Sequence, residues 1–362
     1  MIRSDEPQPE VFFTRSGQVG HITLNRPKSI NALTHGMVHA IQDVLDEWAD
    51  DPTLRTVLLT GSGDRGLCAG GDILSLYRDA TTGDGSAAAA FFRDEYRLNA
   101  SIASYSKPYV AIMDGLVLGG GIGLSAHGSH RIVTERSKLG MPETGIGFVP
   151  DVGGTWLLSH APGELGTFLA LTAGSVRAGD AIALGLADSF ITSDQIPALI
   201  DALTTTDADP AIAALSQAPP ASNLTAQQTW IDRAYAGESV PAIIDRLRAE
   251  SADEALVAAE SMSLKSPTAL VVTLASLRSA SRLPSLEAAL EQEYRVSVRA
   301  IRAPDFIEGV RAQVVDKDRQ PRWSPPTLDG VDGERIASFF APLEPDETQL
   351  TLPDRVHGTS VF

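Results

Sequence analysis

The apolar positions divide the chain into short segments of two periods. Residues 18–25 (QVGHITLN) place Val19, Ile22 and Leu24 ahead of Asn25-Arg26-Pro27. Pro27 cannot extend a strand ladder, so the pattern predicts a strand that ends in a loop. In residues 34–48, Met37, Val38, Ile41, Val44, Leu45 and Trp48 recur at helical spacing behind Thr34, a good N-cap, which predicts an amphipathic helix. Residues 55–60 (RTVLLT) and 109–113 (YVAIM) are short apolar runs that each deliver the chain to a glycine turn. Strands at 131–134 and 189–192 and helices around 156–158 and 165–171 continue the alternation. Short strands alternating with helices predict an α/β core whose sheet-end turns build a site.

After Asp201 the texture changes. TTTDADP and QAPPASN punctuate the chain and alanine-rich helical stretches follow. The expected organisation is a core over 1–200, a helical C-terminal region over 201–341 and a polar tail over 342–362. Within the second region, residues 281–308 carry Leu286, Leu290, Tyr294 and Val298 at four-residue spacing, which predicts one long helix broken before Pro304. No internal repeat of solenoid length is present.

Composition narrows the functional classes. A chain of 362 residues, 43% hydrophobic with mean hydropathy −0.00, is long enough for a large core. Its 29 basic and 46 acidic residues sum to −17, a surface that repels nucleic acid and anionic membrane. The single cysteine, Cys68, forbids an intramolecular disulfide and points to a reducing cytoplasm. The start, MIRSDEPQPE, carries acids and prolines where an export signal needs a basic start and an apolar run. The most apolar stretch, 109–126, contains Asp114 and five glycines, so no membrane span is expected.

Three motifs fall short of the chemistry they suggest. Gly61-Ser62-Gly63-Asp64-Arg65-Gly66 fits a dinucleotide fingerprint, yet the chain runs on into a second glycine cluster with no helix opening at Gly66 to receive a pyrophosphate. Gly123-Leu124-Ser125-Ala126-His127 begins like a nucleophile elbow but puts a histidine where the strained turn needs glycine. His127, His130 and Glu135 are close in sequence but lack a fourth metal ligand.

A more coherent constellation joins three places. Residues 67–72 (LCAGGD) and Gly119-Gly120-Gly121 are glycine turns, each downstream of a strand, where backbone N–H groups can approach a ligand closely. Two such groups converging on one carbonyl oxygen make an oxyanion hole. In residues 141–151 (MPETGIGFVPD), Glu143 and Asp151 stand among apolar residues and glycines. Burial there raises carboxyl pKa values toward the range useful for proton transfer. For Asp151, capping of the short helix near Trp156 is the competing role.

Taken together, LCAGGDI, KPYVAIMDGLVLGGGIGLS and MPETGIGFVPDVGG resemble the crotonase (enoyl-CoA hydratase/isomerase) superfamily. LKSPTAL, EQEYRVS, PDFIEGVRA and DKDRQPRW extend the resemblance to its 3-hydroxyisobutyryl-CoA hydrolase branch. The resemblance implies a crotonase-like fold of repeated ββα units followed by a helical C-terminal region. It implies Gly71 and Gly120 as oxyanion donors, Glu143 as nucleophile or general base, and Asp151 and Glu95 holding the substrate hydroxyl and the attacking water. The second carboxylate of the hydratases would fall at Gly123, where this chain has none. CoA is expected to border Arg26, Lys28, Ala69, Asp72 and Ile73, with Lys265 as a further contact. The implied reaction is hydrolysis of a short branched 3-hydroxyacyl-CoA, 3-hydroxyisobutyryl-CoA of valine breakdown foremost, with no metal or other cofactor. The superfamily builds on trimers, which implies a homo-oligomer. The alternatives are an enoyl-CoA hydratase and a non-catalytic acyl-CoA-binding subunit.

Overall fold

The computed structural model describes residues 8–344 and 347–352, so the first seven residues and most of the polar tail lie outside it. Its main sheet runs in the order β1 (Val11–Ser16), β2 (Val19–Leu24), β3 (Thr56–Gly61), β4 (Tyr109–Met113), β6 (His130–Val133) and β9 (Ser189–Phe190). The β1–β2 hairpin is antiparallel and every later pairing is parallel, with Val57 opposite Tyr109 and Val110 opposite His130. Parallel strands covered on both faces need apolar residues at successive positions, which is why TVLLTG and YVAIM read as runs without alternation.

The two faces of the sheet belong to two apolar clusters. Val57, Leu59, Ala111 and Met113 face the larger one, together with α1 (His35–Ala49) and α3 (Ser86–Ala103). Leu58, Val110, Ile112 and Ile132 face the smaller one, closed by Leu199, Leu203 and Ile212. Residues 200 and 201, where the sequence changes texture, lie within the helix Ile196–Leu203 that covers this second face. The C-terminal helices add Leu274, Leu290, Tyr294 and Phe306 to the larger cluster, so sheet and helical region share one interior. The stretch expected as one long helix is Leu286–Ala300, started by Ser285 accepting from Ala288 N, followed by a separate helix Pro304–Val310. Among the described residues no helix is long and apolar enough to cross a membrane.

A second, three-stranded sheet joins β5 (Leu116–Leu118), β7 (Lys138–Gly140) and β8 (Ser175–Val176). Strands of two or three residues leave no periodicity to read, and the sequence pattern does not announce them. Their role is positional. Leu118 N donates to Cys68 O at 2.9 Å and Cys68 N to Leu116 O at 3.3 Å, which stitches the loop after β3 to the strand that carries Gly119 and Gly120.

Candidate active site

Two loops meet where the parallel strands end. After β3, Ala69 N bonds to Ile30 O and Leu33 N to Gly70 O, holding the Ala69–Asp72 segment against the start of the chain's first long helix. Gly119, at φ +47°, turns β5 into the short helix α4 (Gly120–Ser125). The first N–H groups of a helix have no internal partner. A Cβ at Gly120 would stand 3.3 Å from Gly71 N, so the two expected oxyanion donors are neighbours. Neither amide takes part in the backbone bonds that shape the two loops. Cys68 backs this construction from inside the protein: it is wholly buried, accepts from Gly70 N, and burial pushes its thiol up to about 12.

Three carboxylates face these turns across a cavity of about 230 Å³ lined by Gly71, Gly120, Glu95, Glu143 and Asp151. Glu95 comes from α3, whose buried face also carries Phe91, Phe92 and Tyr96, so the charge run RDEYR hides one acid inside. Glu143 starts a single 3-10 turn, Glu143–Ile146, which the following Gly147 (φ +70°) ends. Asp151 precedes α5 (Gly154–Ser159), but Gly153 is that helix's N-cap and the Asp151 side chain receives Tyr96 Oη at 2.8 Å instead. The capping role considered from sequence is therefore not the one its side chain plays. Phe91, Phe92 and Phe148 wall the cavity, and Val314 reaches it from the C-terminal region.

The electrostatics follow from this crowding. Burial raises Glu143 well above the ordinary carboxyl range, and the charges of Asp151 and Glu293 push the same way. Burial lifts Asp151 up to about 7, against the lowering effect of the Tyr96 hydrogen bond. Glu95 is raised by burial and by Asp151. Glu95 Oε1 and Glu143 Oε2 are buried with no hydrogen-bond partner among the described residues. Unpartnered polar atoms inside a protein are costly and point to a ligand's hydrogen-bonding groups at this place.

The expected CoA contacts separate into three groups. Ala69 and Ile73 line the catalytic cavity. Arg26 and Asp72 are paired with each other at 3.0 Å, Arg26 also meets Glu10 at 3.0 Å, and Asp72 caps α2 (Ile73–Thr82) through Ser75 N. Lys28 is exposed on the turn Pro27–Ser29. Lys265 lies beside Gly145, in a cleft of about 660 Å³ that shares Pro142 and Ile146 with the catalytic cavity. Burial lowers its ammonium pKa.

Several residues stand outside this chemistry. Ser125 is wholly buried and donates to Gly121 O, and His127, which burial lowers to about 4, donates Nε2–H to Val152 O at 2.7 Å. Asn31 Nδ2 donates to the carbonyls of Ser62, Gly66 and Leu67, closing the glycine-rich loop after β3 on itself. His35 and His39 converge on Asp94 Oδ2 at 2.8 Å each, but Arg93 already spans both oxygens of that carboxylate. That cluster is satisfied as an ion pair and does not line the catalytic cavity.

Two side chains that support the site from behind its lining were not singled out from sequence: Tyr96, beside Glu95, and Glu293, whose carboxylate accepts from Gly153 N and from Thr155. A signal was present, since Leu286, Leu290, Glu293 and Ser297 follow helical spacing and set a glutamate on an apolar stripe.

Paired glycine-loop amides opposite buried carboxylates, on strands covered by helices, define an acyl-CoA enzyme of crotonase type. The chain belongs to the enoyl-CoA hydratase/isomerase family, which matches residues 19–340. Among its relatives, the "3-hydroxyisobutyryl-CoA hydrolase, mitochondrial" of Danio rerio is 38% identical over 97% of this chain and 94% of its own. The Homo sapiens protein of the same description is 36% identical over 95% and 91%. Among solved structures, a carnitinyl-CoA dehydratase from Mycobacterium thermoresistibile superposes with a TM-score of 0.91 at 50% identity, covering 94% of this chain and 99% of that one. An enoyl-CoA hydratase from Rhodobacter sphaeroides 2.4.1 gives 0.89 at 41% identity, covering 95% and 100%. The cytoplasmic location expected from the lone cysteine is corrected by the hydrolase relatives, which are described as mitochondrial. A lack of disulfides separates reducing from oxidising surroundings and does not say which reducing compartment holds a protein.

Proposed function

We propose that this protein hydrolyses 3-hydroxyisobutyryl-CoA to the free acid and CoA, a thioester cleavage belonging to valine breakdown. The observation that carries the reading is the set of groups opposite the Gly71 and Gly120 amides: Glu143, Asp151 and Glu95 are there, and Gly123, which the resemblance matches to the second carboxylate of the hydratases, carries no side chain. That glycine packs too tightly for any side chain, since a Cβ there would stand 2.7 Å from both Asn99 Nδ2 and Val152 Cβ.

In this reading the thioester oxygen accepts from Gly71 N–H and Gly120 N–H, which stabilise the negative charge as the carbonyl carbon becomes tetrahedral. Glu143 adds to that carbon and expels the sulfur as the C–S bond breaks, leaving a mixed anhydride that water then cleaves to the free acid and the Glu143 carboxylate, or Glu143 takes a proton from a water that attacks the carbon directly and the C–S bond then breaks. By both routes one water is consumed, and its protons end on the acid and on the CoA sulfur. Asp151 and Glu95 hold the 3-hydroxyl and the water. The nucleotide end of CoA lies outside the cavity, and Ala69 and Ile73 border the thioester end.

The structures described as a dehydratase and a hydratase favour a second reading, addition or removal of water at a C=C bond. One experiment separates the two. The protein is incubated with 3-hydroxyisobutyryl-CoA, following free thiol, and with crotonyl-CoA, following loss of enoyl absorbance. Thiol release exceeding hydration by at least tenfold in kcat/KM supports hydrolysis, and the reverse order assigns the protein to the hydratases.

A further inference from the structure

Two consecutive left-handed residues follow Asp151, Val152 at φ +55° and Gly153 at φ +79°. Glycine adopts this conformation freely, whereas a β-branched residue is strained there and stays only when its surroundings over-determine it. The surroundings here come from two directions. His127 holds Val152 O, as described above. From the helix Leu286–Ala300, Glu293 accepts from Gly153 N at 2.6 Å through Oε2, and from Thr155 N at 2.8 Å and Thr155 Oγ1 at 2.5 Å through Oε1.

One turn further along the same helix stands Ser297. Tyr96 Oη gives its single proton to Asp151 Oδ2, so the 2.8 Å contact between Ser297 Oγ and Tyr96 Oη is a bond that Ser297 donates. Glu293 is 1% exposed and Ser297 and Tyr96 are fully buried, yet none of the three lines the catalytic cavity. A carboxylate this deep is normally retained because it is used or because it organises its donors.

We infer that Glu293 and Ser297 are positioning residues for Asp151, Glu293 by pinning the strained turn that carries it and Ser297 by fixing, through Tyr96, the direction of its carboxylate. The inference rests on the reading of Asp151 as a group that meets the substrate. It gives the C-terminal helical region a part in catalysis beyond shielding the core. The titratable groups facing Asp151 are Glu95 and Tyr96 from α3, Glu143 from its 3-10 turn and Glu293 from the C-terminal helix. Burial raises Glu293, and the charge of Asp151 pushes it the same way.

The test is a double-mutant cycle in the full chain, with Glu293→Gln made alone and in the Asp151→Asn background. If Glu293 acts through Asp151, the single variant loses about 10²-fold in kcat, the cost of an ångström-scale misplacement, while KM stays within about twofold. Free CoA affinity is unchanged. In the Asp151→Asn background the same change costs less than about twofold. An unchanged kcat in folded Glu293→Gln overturns the inference, as does an equal loss in both backgrounds, the mark of a merely structural carboxylate. If Glu293→Gln does not fold, Ser297→Ala and Tyr96→Phe are read in the same two backgrounds with the same deciding outcomes. A wild-type protein silent on 3-hydroxyisobutyryl-CoA overturns the hydrolase reading alone, since the cycle is then measured on crotonyl-CoA.

Discussion

Glu95 lies so close to Gly120 that a methyl group on the glycine would stand 2.5 Å from Glu95 Oε1. The chain can bring a carboxylate this near to an oxyanion amide only where the amide's own residue has no side chain. Gly120→Ala therefore displaces Glu95 and, in the proposed hydrolysis, fills space that the thioester would take. Loss of one well-placed oxyanion donor costs about 10²–10³ in kcat, and a fall of at least tenfold is expected here with little change in Tm. Thermal melting and CoA release measured side by side check it.

Glu143→Gln keeps the shape and removes the carboxylate proposed as nucleophile or general base. Turnover should fall by at least the 10²–10⁴-fold that general acid–base work contributes, while acyl-CoA affinity stays within a few-fold. Isothermal titration with a non-hydrolysable thioether analogue separates binding from turnover. A variant that still releases thiol at near wild-type rate removes Glu143 from the chemistry.

The pH dependence has a definite sign. In the proposed reaction Glu143 acts ionised, and burial together with the charges of Asp151 and Glu293 raises its pKa, so the acidic limb of kcat/KM should lie above the ordinary carboxyl range. Asp151→Asn lowers kcat/KM and, by removing one of those charges, moves the acidic limb to lower pH. Full pH–rate profiles of both proteins show whether the limb shifts.

Stability carries the same groups with the opposite trend. Asp151 is lifted from 3.8 to about 7 and Glu293 from 4.5 to about 8, so the folded state binds more protons than the unfolded chain between about pH 4 and 8. Their contribution is fully present below pH 4 and is lost as pH rises through 7 to 8. Asp151→Asn should flatten this decline and raise Tm relative to wild type at pH 8, as read by melts across pH 5 to 8.

Gly123→Glu does not make a hydratase in this scaffold. The new Cβ would overlap Val152 and Asn99, so the substitution pushes on the turn that carries Asp151. Overpacking of this kind costs about 1–3 kcal/mol. The expected outcome is a lower Tm, hydrolysis reduced at least tenfold, and no loss of enoyl absorbance with crotonyl-CoA.

The sequence spoke clearly where one physical demand repeats over many positions. The α1 stripe from Met37 to Trp48, the runs at 56–61 and 109–113 and the two glycine turns all have a period or a composition that survives without the fold. β5, β7 and β8 have two or three residues each and exist because of the loop they hold, so their signal is tertiary. The same holds within the site. Glu143 and Asp151 stand out as acids among apolar neighbours, whereas Glu95 hides in a charge run and is known as an interior group only from the face of α3 that packs inward. Glu293 shows in the sequence only as an acid on an apolar helical stripe, and the Gly153–Thr155 turn it bonds to leaves no trace beside it.

Cys68 has a practical consequence for anyone measuring this reaction. It is the only cysteine of the chain, it is sealed behind the Gly70 loop, and its thiol ionises far above the working pH. A colorimetric thiol reagent added to the folded protein thus sees the product and not the catalyst, and the assay's baseline is flat. Any slow colour that grows without substrate counts molecules that have opened.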